Sequence, residues 1–226
     1  MKLKPRRKKE AEINGFQTLD VEANFWTRFQ CAGHYDGKIY TEFRKPRSFV
    51  DFLAEKTTSQ KIFWHFGGGY DSQFFIGHLL EAGFTIEKMI PNGSLIMAIY
   101  VVSPSGIKHS FHDSIFIFHC SLDAAAKAFK AKTKKGNYDH SKNRSYNKEM
   151  AAYLKDDCIA LWQSLFNFFN HELTKTTGGG ISISGIAVKK MQEYLEDEVF
   201  SLPVSVSRFC RDSCYGGRVE IYAHTA

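Results

Sequence analysis

Apolar and polar positions first organise the chain at Phe16-Gln-Thr-Leu-Asp-Val-Glu22, which reads as a β-strand over 16–22. Side chains alternate between the faces of a strand, so Asp20 and Glu22 share one face and Val21 takes the other. Residues 25–32 and 38–43 read as a hairpin, with Tyr35-Asp-Gly37 supplying the turn chemistry. Ser48 is expected to cap a short helix reaching about Lys56. Lys61-Ile-Phe-Trp-His-Phe66 reads as a compact buried strand, stopped by Gly67-Gly-Gly69. A helix is then expected to start near Asp71, to carry Phe74, Phe75, Leu79 and Leu80 at helical spacing, and to end at Gly83.

Further along, 95–102 and 107–111 read as strands joined by Ser103-Pro-Ser-Gly106. A short helix over 121–129 has Ser121 at its cap, and 130–148 reads as a polar, basic loop. A long helix is expected from about Asn147 to His171, with Tyr153, Ala160 and Leu161 facing inward. Thr176-Thr-Gly-Gly-Gly180 breaks it, 181–196 reads as a further helix, and the last thirty residues read as irregular. Strands interleaved with helices in this order predict an α/β domain, a mixed sheet flanked by helices in a ribonuclease-H-like layout.

Composition supports a real core: 226 residues, 15% aromatic, include 20 Phe. No apolar run reaches the ~18–20 residues that span a bilayer, and the chain opens without a signal-peptide pattern, so no membrane association is expected. Five scattered cysteines (Cys31, Cys120, Cys158, Cys210, Cys214) do not form a secreted disulfide framework and fit a reducing, intracellular compartment. The net charge of +6 is concentrated, because residues 1–10 alone carry +5. Residues 1–14 are therefore expected to be a basic, disordered arm; the sharper reading is an arm that touches phosphates.

Four carboxylates carry the candidate chemistry. Asp20 and Glu22 lie on the first strand, Asp71 at a helix start and Asp157 in the long helix. Tyr153, four residues before Asp157, lies on the same helical face. Singly, each has an ordinary explanation: a polar strand face, an N-cap, an amphipathic helix edge. As a set they supply what two-metal phosphodiester cleavage needs: hard oxygen ligands for paired Mg²⁺ or Mn²⁺ and a phenol to orient water.

Three segments resemble the proofreading-exonuclease motifs of family B DNA polymerases: Thr18-Leu-Asp-Val-Glu-Ala23, Gly69-Tyr-Asp-Ser-Gln-Phe-Phe75 and Tyr153-Leu-Lys-Asp-Asp157. His112-Asp-Ser-Ile115, followed by the segment 121–129, resembles a single-strand-binding segment of the protein-primed branch. That branch is the bacteriophage, adenovirus and linear-plasmid type, organellar and viral. Lys134-Lys-Gly-Asn-Tyr138 resembles its basic segment, and Tyr215-Gly-Gly-Arg-Val-Glu-Ile-Tyr222 the linker toward a polymerase domain. The resemblance implies a 3′→5′ exonuclease domain over 15–200 and a linker over 201–226. It also implies a two-metal site of Asp20, Glu22, Asp71 and Asp157, with Tyr153 orienting water. DNA contacts are expected from Phe66, Tyr70, Ser114, Lys135, Tyr138, Tyr215, Gly216 and Gly217.

Two departures stand out. The second motif usually has an Asn shortly before its aromatic-Asp pair, where this sequence has Phe66 and Gly67. The linker usually opens with Tyr where Cys214 stands. No Asp-Thr-Asp motif occurs, so a truncated or split product without a polymerase active site is expected. The implied partners are single-stranded DNA and primer-template 3′ ends, a polymerase-domain chain and a terminal priming protein. The implied setting is a mitochondrion, a linear plasmid or a virus-infected cell. The alternatives are a catalytically inactive DNA- or protein-binding remnant of such a polymerase and, more weakly, a stand-alone RNA exonuclease.

Overall fold

The computed structural model describes residues 2–5, 13, 15–24, 27–134, 136, 138–139, 145–195 and 199–200. Strand β1 (Lys2–Leu3) is followed by β2 (Gln17–Asn24), β3 (Arg28–Tyr35), β4 (Tyr40–Phe43), helix α1 (Pro46–Ala54) and β5 (Lys61–Trp64). A 3₁₀ turn (Asp71–Phe74) leads into α2 (Ile76–Glu81). Then come β6 (Thr85–Asn92), β7 (Leu95–Val102), β8 (Lys108–Asp113), α3 (Ile115–Phe118), α4 (Leu122–Ala128), α5 (Lys148–Phe169), α6 (Ile183–Gln192) and β9 (Val199–Phe200). The expected α/β class, a mixed sheet flanked by helices, is what forms.

The main sheet has seven strands in the order β4-β3-β2-β5-β8-β7-β6. Its central pairs, β2–β5 and β5–β8, are parallel, and the outer pairs are antiparallel. Alternation along β2 sorts its side chains into two layers. Leu19 and Val21 join Phe49, Val50, Ile62, Trp64, Phe75 and Phe111 in a core beneath α1 and α2. On the opposite face, Phe16 joins Phe63, Leu161, Leu165 and Phe169 beneath α5. Asp20 and Glu22 share the parity of Phe16 and so lie on the α5 side.

The local chemistry explains where the elements begin. Asp36 Oδ1 accepts from the Lys38 and Ile39 N–H groups at 2.8 and 2.7 Å, and Gly37 takes φ +96°, closing the β3–β4 hairpin. Asn147 caps α5 by accepting from Met150 N–H at 2.8 Å. Ser121 caps α4 by accepting from Ala124 N–H.

Several expectations need correction. Ser48 does not cap α1; Pro46 starts the helix and forces Lys45 into an extended conformation before it. No α-helix starts at Asp71, because four residues first wind as a 3₁₀ turn. Leu80 is exposed, while Phe75 and Leu79 are buried. Strand β6 carries no clear sequence signal. It is an edge strand with a largely exposed side-chain pattern and a proline, and so has little hydrophobic signal.

The N-terminal segment is tied down where it is described: Lys2–Leu3 pair antiparallel with Val199–Phe200, and Asn170 brackets the Ile13 backbone from both sides. Among the described residues, Cys31, Cys120 and Cys158 are free thiols, and no helix is long and apolar enough to cross a membrane.

Phe49 is fully buried and meets the rings of Phe43, Phe52, Phe75 and Phe111 at centroid distances of 5.0–6.4 Å. Truncating it leaves a cavity that four neighbouring aromatics cannot all collapse into. Phe49→Ala is expected to cost about 3–5 kcal/mol, read as a lowered urea midpoint with an unchanged slope.

Candidate active site

Strand β2 runs past the end of its parallel neighbour. Its pairing with β5 covers only Gln17–Ile62 and Thr18–Phe63, so Asp20 and Glu22 project beyond the carboxyl end of β5. The chain leaving β5 turns through Gly67, Gly68 and Gly69 and delivers Asp71 to that same end. Helix α5 crosses the opposite side of the crevice and contributes Tyr153 and Asp157, both buried and one helical turn apart.

Close approach of α5 brings these groups together. Thr18 Oγ1 donates to the Cys158 carbonyl at 2.8 Å, fixing the helix on β2 one residue from Asp157. Gly33, the β3 partner of Asp20, leaves the necessary space. A Cβ there would stand 2.9 Å from Cys158 Sγ and from Leu154 Cγ, and 2.8 Å from Tyr40 Oη.

The electrostatics show that the four acids feel one another. Burial, then the charges of Asp71, Asp157 and Glu22, hold the Asp20 carboxyl well above the usual carboxylate range. Burial, then Asp113 and Glu22, do the same to Asp71. The Tyr153 phenol is pushed upward by burial, by Asp157 and Asp20, and by its hydrogen bond to Asp157. It is therefore a neutral donor at any ordinary pH. The Tyr70 hydroxyl is raised to about 12 by burial and then by Asp71, Glu22 and Asp20, which puts it at the rim of the same negative field. Cys158 is pushed well up by burial and then by Asp20, Asp157 and Asp71, so its thiol is inert.

The expected DNA-contacting residues are placed differently from one another. Phe66 is 54% exposed and sits in the left-handed region at φ +66°, with its ring outward. Tyr70 is half-buried and packs edge-on against Phe74. Ser114 is fully buried: its Oγ donates to the Trp64 carbonyl at 2.8 Å and lies 2.8 Å from His65 Nδ1, so the side chain is turned away from the surface. Tyr138 is also buried, stacked on Tyr153 at 5.4 Å, with its hydroxyl accepting from Asn147 Nδ2. Its placement supports the Tyr153 ring. Lys135, Tyr215, Gly216 and Gly217 lie outside the described residues, as do Cys210, Cys214 and the expected linker.

Two features of the site were not singled out in the sequence. Gly33 is one, and only its close contacts give it meaning. Asp113 is the other: its fully buried carboxylate accepts from the backbone N–H groups of Phe66, Gly68 and Ile115 at 2.8, 2.9 and 3.0 Å. Burial raises this carboxyl, and those three amides pull it back.

The donor set suits a hard divalent cation: carboxylate oxygens, desolvated and mutually repelling. As the side chains stand, no three His, Cys, Asp or Glu among the described residues already form a ligand shell. The fit therefore rests on the chemistry and common field of Asp20, Glu22, Asp71 and Asp157.

A mixed α/β domain with an acidic, tyrosine-bearing crevice at the end of its parallel strands is the class that fold and site define. Residues 54–151 match the family model of DNA polymerase type B, organellar and viral, the family that the sequence motifs resemble. Asp71, Asp113 and Ser114 lie within that match. No curated protein is significantly similar in sequence.

Among solved structures, phi29 DNA polymerase complexed with primer-template DNA and incoming nucleotides aligns over 89% of this chain, with a TM-score of 0.65 and 19% identity. Phi29 DNA polymerase complexed with single-stranded DNA aligns over 71%, with a TM-score of 0.59 and 18% identity. The two matches span 39% and 32% of those polymerases. The fold is shared with part of a DNA polymerase.

Site repulsion has a measurable consequence. Asp20 and Asp71 hold their protons more tightly when folded than at their ordinary 3.8. Their contribution to stability is therefore full below about pH 3.8 and is lost as pH rises through the folded values. In chelator at about pH 7, Asp20→Asn is expected to unfold at a higher temperature than wild type, with the gain vanishing below about pH 3.8. Millimolar Mg²⁺ or Mn²⁺ should then raise the wild-type midpoint more than that of the variant. Thermal unfolding across pH, with and without metal, reads both effects.

Proposed function

We propose that this chain is a 3′→5′ exonuclease domain of the protein-primed type of family B DNA polymerase, acting on single-stranded 3′ ends. The observation that carries the reading is the convergence of Asp20, Glu22, Asp71 and Asp157 in one desolvated field, with the Tyr153 hydroxyl bonded to Asp157. Such a cluster is costly unless it binds cations or protons.

Asp20, Glu22, Asp71 and Asp157 would hold Mg²⁺ or Mn²⁺. When bound, these ions would supply the Lewis acidity and charge neutralisation that phosphodiester hydrolysis needs. Tyr153 keeps its proton and can orient a water at the edge of the cluster, its ring held by Tyr138. Phe66 presents an exposed ring on which a terminal base can stack, a contact worth about 1–3 kcal/mol, and the Tyr70 hydroxyl lies in the field of Asp71, Glu22 and Asp20. The partners of this reading are single-stranded DNA and primer-template 3′ ends, with a polymerase-domain chain and a terminal priming protein beyond them. The relatives complexed with DNA in the same fold support the choice of DNA.

Carboxylates that act on one transition state are not additive. Asp20→Ala and Asp157→Ala are each expected to slow degradation of a 3′ single strand roughly a thousandfold, with the double variant little worse. Tyr153→Phe should cost about ten- to a hundredfold, since it orients water without holding metal. Gel assays with 5′-labelled oligonucleotides in Mg²⁺ or Mn²⁺ read the rates and should show mononucleotides released from the 3′ end. Wild-type protein that binds a 3′ overhang and leaves it uncut would replace this reading with that of a binding remnant.

A further inference from the structure

Strand β5 ends at Trp64, directly beside Asp113 in the parallel β5–β8 register. From there the chain must leave the sheet, reverse and reach Asp71 within seven residues. Its backbone N–H groups lose their sheet partners at this point, and a buried loop with orphaned donors would be costly. Asp113 meets that need from the neighbouring strand. Its Oδ1 accepts from Phe66 N–H at 2.8 Å and from Ile115 N–H at 3.0 Å, and its Oδ2 accepts from Gly68 N–H at 2.9 Å.

The rest of the loop is fixed by contacts that depend on this seat. The Gly68 carbonyl accepts from Ile96 N–H at 3.3 Å, and a Cβ on Gly68 would stand 1.9 Å from the Ile96 carbonyl oxygen. The Gly67 carbonyl accepts from Tyr70 N–H and, at 2.9 Å, from Ser72 N–H, which winds the 3₁₀ turn that begins with Asp71. Phe66 holds its left-handed backbone with its amide on Asp113.

We propose that Asp113 is a positioning residue: its two carboxylate oxygens seat the loop 66–70 so that Asp71 is presented to the other acids and the Phe66 ring to solvent. Its importance for catalysis rests on the exonuclease reading; the seating of the loop does not. The two oxygens have separate duties, and a single substitution divides them. An amide at 113 can keep its oxygen on Phe66 and Ile115, but must then turn an NH₂ donor toward the Gly68 N–H. Alanine releases all three amides.

The test uses the full chain and compares wild type, Asp113→Asn and Asp113→Ala. Amide hydrogen exchange is followed residue by residue, and single-turnover cleavage and binding of a 3′ single strand are measured alongside. In Asp113→Asn, exchange at Gly68 should accelerate while Phe66 and Ile115 stay protected. The maximal cleavage rate should fall roughly ten- to a hundredfold, as expected for a misplaced catalytic group, with a thermal midpoint within a few degrees of wild type. Asp113→Ala should release Phe66, Gly68 and Ile115 together and cleave more slowly still.

The proposal is overturned if Gly68 stays protected in Asp113→Asn, or if protection falls uniformly across the domain. It is also overturned if the loop opens while cleavage stays within twofold of wild type. Should Asp113→Ala fail to fold, Asp113→Asn decides alone. Should wild-type protein not cut DNA at all, the exonuclease reading fails, and the exchange pattern still decides whether Asp113 seats the loop.

Discussion

Helix α5 must lie close enough to β2 and β3 for Asp157 to enter the field of Asp20, and that approach is opposed by the burial of four carboxyl groups that repel one another when ionised. Packing supplies the opposing force. Phe16, Phe63, Leu161, Leu165 and Phe169 join sheet to helix on one side of the acids, and Cys31, Met150, Leu154 and Cys158 do so on the other. The Thr18 hydroxyl fixes the helix by its backbone, donating to the Cys158 carbonyl. Gly33 permits the contact, since a methyl group there would need Leu154, Cys158 and Tyr40 all to move. The crevice is thus held open to charge by apolar groups that cannot themselves respond to charge. This is the usual condition of a pre-arranged site whose repulsion a ligand later relieves.

Much of this was legible in the sequence, for identifiable reasons. The parity of Asp20 and Glu22 follows from strand geometry, and the placing of Leu19 and Val21 in the other layer agrees with it. The four-residue spacing of Tyr153 and Asp157, with an Asn147 cap upstream, fixes both the helix and its buried face. Elements without periodic signal were lost. Strand β6 exposes most of its side chains, and the turn at Asp71 winds as 3₁₀ because the Gly67 carbonyl draws in the amides of Tyr70 and Ser72. The roles of Gly33 and Asp113 depend on partners from distant segments, which one-dimensional spacing does not show. The motif around Ser114 implies a contact to single-stranded DNA, whereas in the fold its hydroxyl is turned inward to the Trp64 carbonyl.

The loop before Asp71 shows how a local departure can be accommodated. Where the resembled motif has Asn, this chain has Phe66 and Gly67, so no side-chain amide is available there to organise the turn. Order comes instead from across the sheet. Asp113 and Ser114 engage the Phe66 and Gly68 amides and the Trp64 carbonyl, gripping the segment by its backbone. Backbone gripping leaves the Phe66 side chain free to be large, apolar and outward.

The same field bears on the choice of group at position 153. Among desolvated carboxylates, an imidazole would be drawn toward its protonated form by Asp157 and Asp20. Its hydrogen-bonding role would then change within the physiological range and again when a cation neutralised its neighbours. A phenol responds in the opposite sense: burial and negative charge push its ionisation upward, away from that range. Among the bare acids Tyr153 therefore remains a neutral donor. Its ring is fixed by Tyr138, and Gly136 lies close enough that a Cβ there would touch the Tyr153 ring at 3.0 Å. Orientation of this hydroxyl is consequently set by packing, and its protonation by burial and by the charges of Asp157 and Asp20.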